Sequence, residues 1–291
     1  KASKISAEDR TFAGKFMATI CITNQKGGCG KTITAVNLAA GLARKGQRVL
    51  LVDLDPQAPI APSLSLEVPA DLPPIAEAIK NRQLDALVCA SPVENLFVTP
   101  GDVSLDHAAL ANEPLRDTLL QRALQPLAGD FDFVLLDTPP NLDLVTLNAI
   151  MAADWLILPC DVDRESLQSL KRTLEVMTEY VQYRPEVDPE KFYRVLVTIY
   201  DPRDQVMNDW LGTQVGPLGA TMFRSRIHRT TALKKARANG VTIFEYANRS
   251  RLGKFAARRA ITDFETLTDE VIEHEHTRSN RGERRTRANS R

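Results

Sequence analysis

Short apolar runs alternate with longer amphipathic stretches over most of the chain. The apolar runs are rich in β-branched side chains and have little polar alternation, which is typical of strands buried on both faces of a sheet. They cover residues 18–23 (ATICIT), 48–54 (RVLLVDL), 96–99, 131–137 (FDFVLLD), 155–160 (WLILPC) and 193–200 (YRVLVTIY).

Helical spacing of apolar residues predicts helices over 32–44, ended near Gly46, over 164–183, and from Leu252 onward. In the last helix the apolar positions are Leu252, Phe255, Ala260, Phe264, Leu267 and Val271. Strands that alternate with helices favour parallel pairing, and right-handed crossovers then cover both faces of the sheet. The predicted fold class is therefore α/β, a doubly wound and mostly parallel sheet flanked by helices.

The chain divides into three predicted parts: an N-terminal extension at 1–16, one domain at 17–276, and a basic tail at 277–291. The extension has no apolar core of a secretory signal, and Met17 after it is either an original start or an internal methionine. The tail has no aliphatic residue larger than alanine, so we expect disorder there. No apolar run approaches the roughly 18 residues that span a bilayer. The four cysteines form no C-x-x-C pair, which favours a reducing cytoplasm.

Basic residues are concentrated in two segments of a chain whose formal net charge is zero. Residues 224–259 contain eleven Lys or Arg and one acid, and residues 278–291 contain six Arg and one acid. The remaining chain is correspondingly acidic, so the protein is strongly polarised. A basic segment of this density is typical of contact with phosphate backbones. The alternative is a solvated basic face that acidic surface balances elsewhere.

A phosphate-binding loop is predicted where the first strand meets the first helix. Residues 23–33 read TNQKGGCGKTI, and the glycines let backbone N–H groups turn toward an anion at the helix N-terminus. Lys31 can reach the β- and γ-phosphates, and the Thr32 hydroxyl is placed to bind Mg²⁺. The common pattern has a glycine where this chain has Gln25, and Lys26 is an additional lysine. The predicted nucleotide-binding set is Lys26, Gly27, Gly28, Cys29, Gly30, Lys31, Thr32 and Ile33.

Acidic residues end two of the predicted strands. Asp53 and Asp55 close the second in LLVDLDPQ, and Asp137 closes the fourth in FVLLDTPP. Because the carboxyl ends of parallel strands face the ligand crevice, an aspartate there can hold Mg²⁺ directly or through water. A helix cap or a surface position is the alternative for each. The predicted metal set is Thr32, Asp53 and Asp137.

Three segments in this order, KGGCGKT, VLLVDLDPQ and FVLLDTPPNLDLVTLNA, resemble the motifs of the ParA/Soj/MinD group of deviant-Walker ATPases. VTIYDPRD and GVTIFEY resemble later segments of its ParA branch. The resemblance covers about residues 17–272. It implies a P-loop ATPase that uses ATP and Mg²⁺.

In that family the extra lysine reaches across a dimer interface to the phosphates of ATP bound by the other subunit. The resemblance gives this role to Lys26, so that the implied catalytic residues are Lys26, Lys31 and Asp55. Asp55 would orient the attacking water, Asp53 would support the metal and the switch geometry, and Asp137 would hold Mg²⁺ through water. The implied activity is slow hydrolysis of ATP to ADP and phosphate. The implied partners are a second copy of the chain in the ATP state and an adaptor protein of the ParB kind.

Two positions depart from the family pattern. Cys29 replaces a small aliphatic residue and is interpreted as a small buried hydrophobe, with a reactive thiol as the alternative. Ala58 and Pro59 replace the usual glycine and asparagine after DPQ. Both changes stiffen a segment near the implied interface.

The resemblance also implies that the ATP dimer binds nonspecific DNA through the basic segment at 224–259. The candidate DNA-binding residues are Arg226, Lys234, Lys235, Arg249, Arg251, Lys254 and Arg258. Arginines within 222–229 have a second interpretation, a place near the adenine or a role in the fold. The arginine-rich tail adds DNA affinity, binds a partner or does neither. The tail lacks the apolar-faced helix with which the MinD branch binds membranes, so no membrane partner is predicted.

The leading hypothesis is an ATP-switched, nucleoid-associated cytoplasmic protein that partitions a plasmid or a chromosome. A second hypothesis keeps the switch but positions a protein cargo over the nucleoid. The third is a metabolic enzyme on the same fold. An iron-protein relative would need cluster cysteines, and Cys89 and Cys160 stand in no convincing motif.

Overall fold

The computed structural model describes residues 17–105, 109–182, 184, 187–188 and 191–289, without the side chains of 216, 217, 220 and 279–289. Within these residues eight strands form one sheet in the order β3-β4-β2-β5-β1-β6-β7-β8, parallel except for β3 against β4. The strands are β1 (Ala18–Ile22), β2 (Val49–Asp53), β3 (Cys89–Ala90), β4 (Leu96–Thr99), β5 (Phe133–Asp137), β6 (Trp155–Asp161), β7 (Tyr193–Tyr200) and β8 (Met222–His228). This confirms the predicted doubly wound, mostly parallel α/β fold.

Helices connect the strands and flank the sheet. They are α1 (Lys31–Arg44), α2 (Ile60–Ser63), α3 (Ile75–Lys80), α4 (Leu119–Leu124), α5 (Leu144–Ala152), α6 (Arg164–Val181), α7 (Gln205–Val215), α8 (Thr231–Ala238), α9 (Ile243–Asn248) and α10 (Arg251–Asn289). Every residue of β1, β2 and β5 is buried, as continuous apolar strands require.

The sequence pattern did not predict β8, and the reason is its place at the edge of the sheet. Its residues alternate between buried and exposed, because only one face is covered. Phe223 and Ile227 are buried, whereas Arg224 and Arg226 point outward and break the apolar run.

Two apolar residues of α10 do not pack as the helical spacing suggested. Leu252 and Phe255 are each 78% exposed. The first turn of α10 is supported by α9, and Gly253 is the residue that faces α9, where a Cβ would meet the Tyr246 carbonyl oxygen at 2.9 Å. The apolar residues of α10 that are buried run from Ala257 to Val271 and include the predicted positions Ala260, Phe264, Leu267 and Val271.

The C-terminal helix extends further than the sequence pattern indicated. The backbone of α10 is helical to Asn289, whereas the sequence predicts disorder from 277. The predicted domain boundaries stay predictions, and the extension at 1–16 lies outside the described residues. No helix in the described part of the chain is both long and apolar enough to span a bilayer.

Candidate nucleotide-binding site

The predicted phosphate loop connects β1 to α1 at the carboxyl edge of the sheet. Gly28 and Gly30 have φ values of 78° and 95°, which glycine adopts at little cost, and Gly30 is the N-cap of α1. The loop therefore turns its backbone directly into the N-terminus of a 14-residue helix. Unpaired N–H groups and the helix dipole favour an anion at this point.

Lys31 lies over the loop. Its side chain is buried to 7% exposure, and Nζ donates a hydrogen bond to the Lys26 carbonyl oxygen at 3.0 Å. On the other side of the loop, the Thr198 hydroxyl donates to the Cys29 carbonyl oxygen at 2.7 Å. The loop is thus closed by its own lysine and anchored to the end of β7.

The predicted acidic residues meet at the strand ends next to this loop. Asp53 and Asp137 are paired in register on β2 and β5, and both are fully buried. Neither carboxylate oxygen of Asp137 has a hydrogen-bond partner among the described residues. Burial raises the pKa of Asp137 to about 7, although the Thr32 hydroxyl and Lys31 act to lower it. A buried carboxylate with free oxygens beside a threonine hydroxyl fits a Mg²⁺ ion, which keeps several of its waters and needs few protein ligands.

Asp53 has a different environment from Asp137. Its two oxygens accept hydrogen bonds from the Asp55 and Ile60 backbone N–H groups, at 3.2 and 2.9 Å. Burial and the neighbouring Asp137 charge raise the pKa of Asp53. Its carboxylate therefore shapes the segment that carries Asp55, and a direct metal contact for Asp53 stays a prediction.

The segment after Asp55 is strained at one of the two positions that depart from the family pattern. Ala58 has a φ of 46°, in the left-handed region where a non-glycine residue costs about 1–2 kcal/mol. Its N–H donates to the Asp55 carbonyl oxygen at 2.8 Å, which closes a turn. Asp55 itself is half-buried, and its Oδ1 accepts the Gln57 N–H at 2.9 Å.

A cleft of about 620 Å³ opens beside the loop and is lined mainly by apolar groups. This volume suits a nucleoside-sized ligand. Its walls come from the loop and α1, from the ends of β7 and β8, and from α8; they include Ile33, Thr34, Thr198, Ile199, Ile227, His228, Arg229, Leu233, Lys234 and Arg237.

Most of these cleft residues were not predicted, because they come from distant segments. Ile33 belongs to the predicted nucleotide-binding set, and Arg229 fits the interpretation that arginines within 222–229 lie near the adenine. VTIYDPRD contains two more of the cleft residues, Thr198 and Ile199. Ile199 has a φ of 54° at an irregularity in the β7–β8 pairing. Left-handed backbone at a β-branched residue is costly and is often found at functional sites.

Lys26 lies apart from the loop interior. Its ammonium group hydrogen-bonds to Asp163 and lies 3.9 Å from carboxylate oxygens of Asp161 and Glu165. These three acids stand at the end of β6 and the start of α6. No local sequence pattern indicated them.

The candidate DNA-binding residues are all exposed. Among the described residues, none of the seven forms a salt bridge, whereas Arg224 and Arg259 of the same segment pair with acids of α10. The Arg226 guanidinium lies 4.7 Å from the centre of the Tyr200 ring, and Lys234 lines the cleft. A DNA contact by any of the seven stays a prediction.

The four cysteines are buried and form no disulfide among the described residues. Burial raises the pKa of Cys29, although Lys31 acts to lower it, so the thiol is protonated and inert. This confirms the interpretation of Cys29 as a small buried hydrophobe. Among the described residues, no group of three or more His, Cys, Asp or Glu side chains is arranged to hold a metal ion.

Comparison with known proteins agrees with this geometry. A family model described as an AAA domain matches residues 17–187. The chromosome partitioning protein ParA of Myxococcus xanthus is 34% identical over 238 residues, which are 80% of this chain and 82% of that protein. McdA of Cyanothece, solved as an ATP complex of a variant, has a TM-score of 0.72 at 25% identity, over 90% of this chain and 98% of that one. Cobyrinic acid a,c-diamide synthase of Mycobacterium smegmatis, solved with an ATP analogue and magnesium, has a TM-score of 0.71 at 27% identity, over 89% of this chain and 95% of that one.

Proposed function

Because the chain belongs to the ParA group of P-loop ATPases, we propose that it is an ATP-dependent dimerising switch that binds nonspecific DNA. In this proposal the switch segregates plasmid or chromosomal DNA, and slow hydrolysis, stimulated by a ParB-like adaptor, resets it. Family membership supports ATPase activity with ATP and Mg²⁺. DNA binding, dimerisation in the ATP state and slow hydrolysis are proposed.

The observation that carries the proposal is that consecutive helices, α8 to α10, form both a wall of the cleft and the exposed basic surface. α8 lines the cleft with Leu233, Lys234 and Arg237, and it leads through α9 into the exposed arginines of α10. In the part of the chain that the structure describes, no acid forms a salt bridge with the exposed arginines and lysines predicted to bind DNA. An unpaired basic surface next to a nucleotide cleft favours DNA binding that responds to nucleotide.

Each residue of the site then has a role in hydrolysis. The loop N–H groups, the α1 N-terminus and Lys31 would hold the phosphates, and Thr32 and Asp137 would hold Mg²⁺, which supplies positive charge beside the phosphates when bound. Asp55 orients the attacking water, and Asp53 fixes the turn that carries Asp55. Lys26 of a second copy adds positive charge to the phosphates. Phosphoryl transfer needs such positioning and neutralisation more than covalent chemistry.

The test is binding to a nonspecific DNA duplex with ATP, with ADP and without nucleotide, over a series of salt concentrations. Wild type should bind tightly only with ATP, and affinity should fall steeply with salt because released counterions drive binding. Lys26→Ala should lose ATP-dependent binding. Lys171→Ala, an exposed lysine of α6 outside the site, is the matched control and should bind as wild type does.

Equal binding in all three nucleotide states would contradict the switch. No binding in any state, with hydrolysis intact, would remove DNA from the proposal. That result would favour the metabolic alternative, for which the similarity to the diamide synthase is the supporting observation.

A further inference from the structure

Three carboxylates of the same subunit surround the Lys26 ammonium group. We call Asp161, Asp163 and Glu165 the acidic clamp. Asp163 Oδ2 accepts a hydrogen bond from Lys26 Nζ, and one oxygen each of Asp161 and Glu165 lies 3.9 Å from it. The Lys26 side chain is only 16% exposed, so its charge is neutralised inside its own subunit.

The two aspartates of the acidic clamp are held by the local backbone, whereas the Glu165 side chain is 82% exposed. Asp163 is the N-cap of α6, and its Oδ1 accepts the Ser166 N–H at 2.7 Å. Asp161 Oδ1 accepts the Val162 N–H at 2.7 Å. Asp163 thus uses one oxygen to cap α6 and Asp161 uses one oxygen to hold the backbone before it, and each presents its other oxygen to Lys26.

The main chain of Lys26 is held independently of its side chain. Its N–H donates to Asn24 Oδ1 at 3.2 Å, and that oxygen also accepts the Ser169 hydroxyl of α6. Asn24 Nδ2 donates to the Pro159 carbonyl oxygen of β6 at 2.6 Å. Rotation of the lysine side chain alone can therefore move the ammonium group while the loop entrance stays in place.

The acidic clamp also keeps both partners charged. Burial acts to lower the pKa of Lys26, but its hydrogen bond to Asp163 and the charges of the three acids raise the pKa overall. Burial likewise acts to raise the pKa of Asp163, but the hydrogen bonds from Lys26 and from the Ser166 N–H, together with the Lys26 charge, lower the pKa overall. A charged, hydrogen-bonded pair is among the stronger polar contacts of a partly buried surface.

We propose that Asp163, assisted by Asp161 and Glu165, is a positioning residue that holds Lys26 within the monomer and opposes dimerisation. The inference rests on the proposed function, in which Lys26 contacts ATP in a second copy of the chain. One ammonium group cannot occupy the acidic clamp and the partner's phosphates at once. Each subunit must therefore release its lysine when the dimer forms. The strength of the acidic clamp then sets the protein concentration at which dimers form.

The first experiment examines the ligand-free protein. Lys26 is modified with an amine-acylating reagent at fixed pH, and the rate is followed by mass spectrometry in wild type, Asp163→Asn and Glu175→Gln. Asparagine is as good an N-cap as aspartate, so Asp163→Asn removes the charge and keeps the helix start. Glu175→Gln makes the same charge change at an exposed position of α6. Lys26 acylation should be several-fold faster in Asp163→Asn alone, and an unchanged rate would overturn the proposal.

The second experiment measures the protein concentration at which ATP produces dimers, by sedimentation. Asp163→Asn should dimerise at a concentration about three- to tenfold lower than wild type, the range expected when two weak, partly exposed charged pairs, one in each subunit, no longer have to be broken. Glu175→Gln should match wild type. Faster acylation without easier dimerisation would show that the acidic clamp binds Lys26 but does not restrain the switch, and would overturn the proposal. Absence of dimers in wild type at any ATP concentration would instead refute the proposed function.

Discussion

Replacement of Asp137 by asparagine should stabilise the ligand-free protein at neutral pH while it removes the response to Mg²⁺ and ATP. Asp137 is fully buried with both oxygens unpaired, and burial raises its pKa from 3.8 to about 7. Since the folded-state pKa lies above the unfolded value, the folded protein retains a proton that the unfolded chain has lost. Stability therefore falls as the pH rises between about 4 and 7 and stays low above that range.

The size of the effect follows from the difference in pKa. About three pH units at ~1.4 kcal/mol per unit give roughly 4 kcal/mol lost at pH 8 and roughly 1.5 kcal/mol lost at pH 5. An asparagine at this position is neutral at every pH, but its buried amide costs about 1–3 kcal/mol without partners. Asp137→Asn should therefore raise the free energy of unfolding by about 1–3 kcal/mol at pH 8 and give no gain at pH 5.

Urea unfolding in the presence of EDTA, at several pH values between 5 and 8, measures this difference. Asp71→Asn, at an exposed position, is the control and should follow wild type at every pH. With saturating Mg²⁺ and ATP, wild type should gain about 2.7 kcal/mol at a ligand concentration 100 times Kd, and Asp137→Asn should gain far less. If the stability difference between Asp137→Asn and wild type does not change with pH, the reasoning is refuted.

Three further changes test the contacts of α1 and the basic surface. Gly41→Ala places a Cβ 2.2 Å from Thr268 Oγ1, so it should lower the free energy of unfolding by about 1–3 kcal/mol, and Thr268→Ala in the same chain should recover most of that loss. An unchanged thermal midpoint in Gly41→Ala would contradict the close approach. Asn37→Ala leaves the buried Ile243 N–H without its acceptor at 2.8 Å and should cost about 1–3 kcal/mol in urea unfolding; a cost near zero would mean that α1 does not hold α9. Arg258→Ala should reduce the slope of log affinity for duplex DNA against log salt by about 1, and an unaltered slope would remove Arg258 from the DNA surface.

The sequence predicted those features of the fold and the site that depend on a local pattern of residues. The strands at 96–99 and 193–200 have the predicted bounds, since a buried parallel strand is a continuous apolar run. The phosphate loop was predicted for a similar reason, because its glycines, lysine and threonine are consecutive. The alignment of Asp53 with Asp137 followed from the rule that parallel strands end at one edge of the sheet.

Features that depend on distant segments were not predicted. Lys26 and Asp163 are separated by 137 residues, and the pairing of β1 with β6 brings them together. Leu252 and Phe255 have helical spacing, but spacing alone does not show whether a neighbouring element covers that face. Most of the cleft walls were not predicted for a similar reason: the walls combine the ends of β7 and β8 with α8.

The contacts of α1 bear on how nucleotide could control DNA binding. α1 begins at the phosphate loop, holds the first turn of α9 through Asn37, and touches α10 through Gly41. A second contact joins the cleft to α10, because His228 hydrogen-bonds through its N–H to Asp263 at 2.9 Å. These contacts fix α9 and α10, which carry exposed arginines, to the nucleotide site within one subunit. Under the proposed function, nucleotide then controls DNA binding more simply by bringing the basic surfaces of two subunits together than by reorienting the basic surface of one subunit. Joining two surfaces multiplies their affinities for one duplex, so a weak surface on each monomer suffices for tight binding by the dimer.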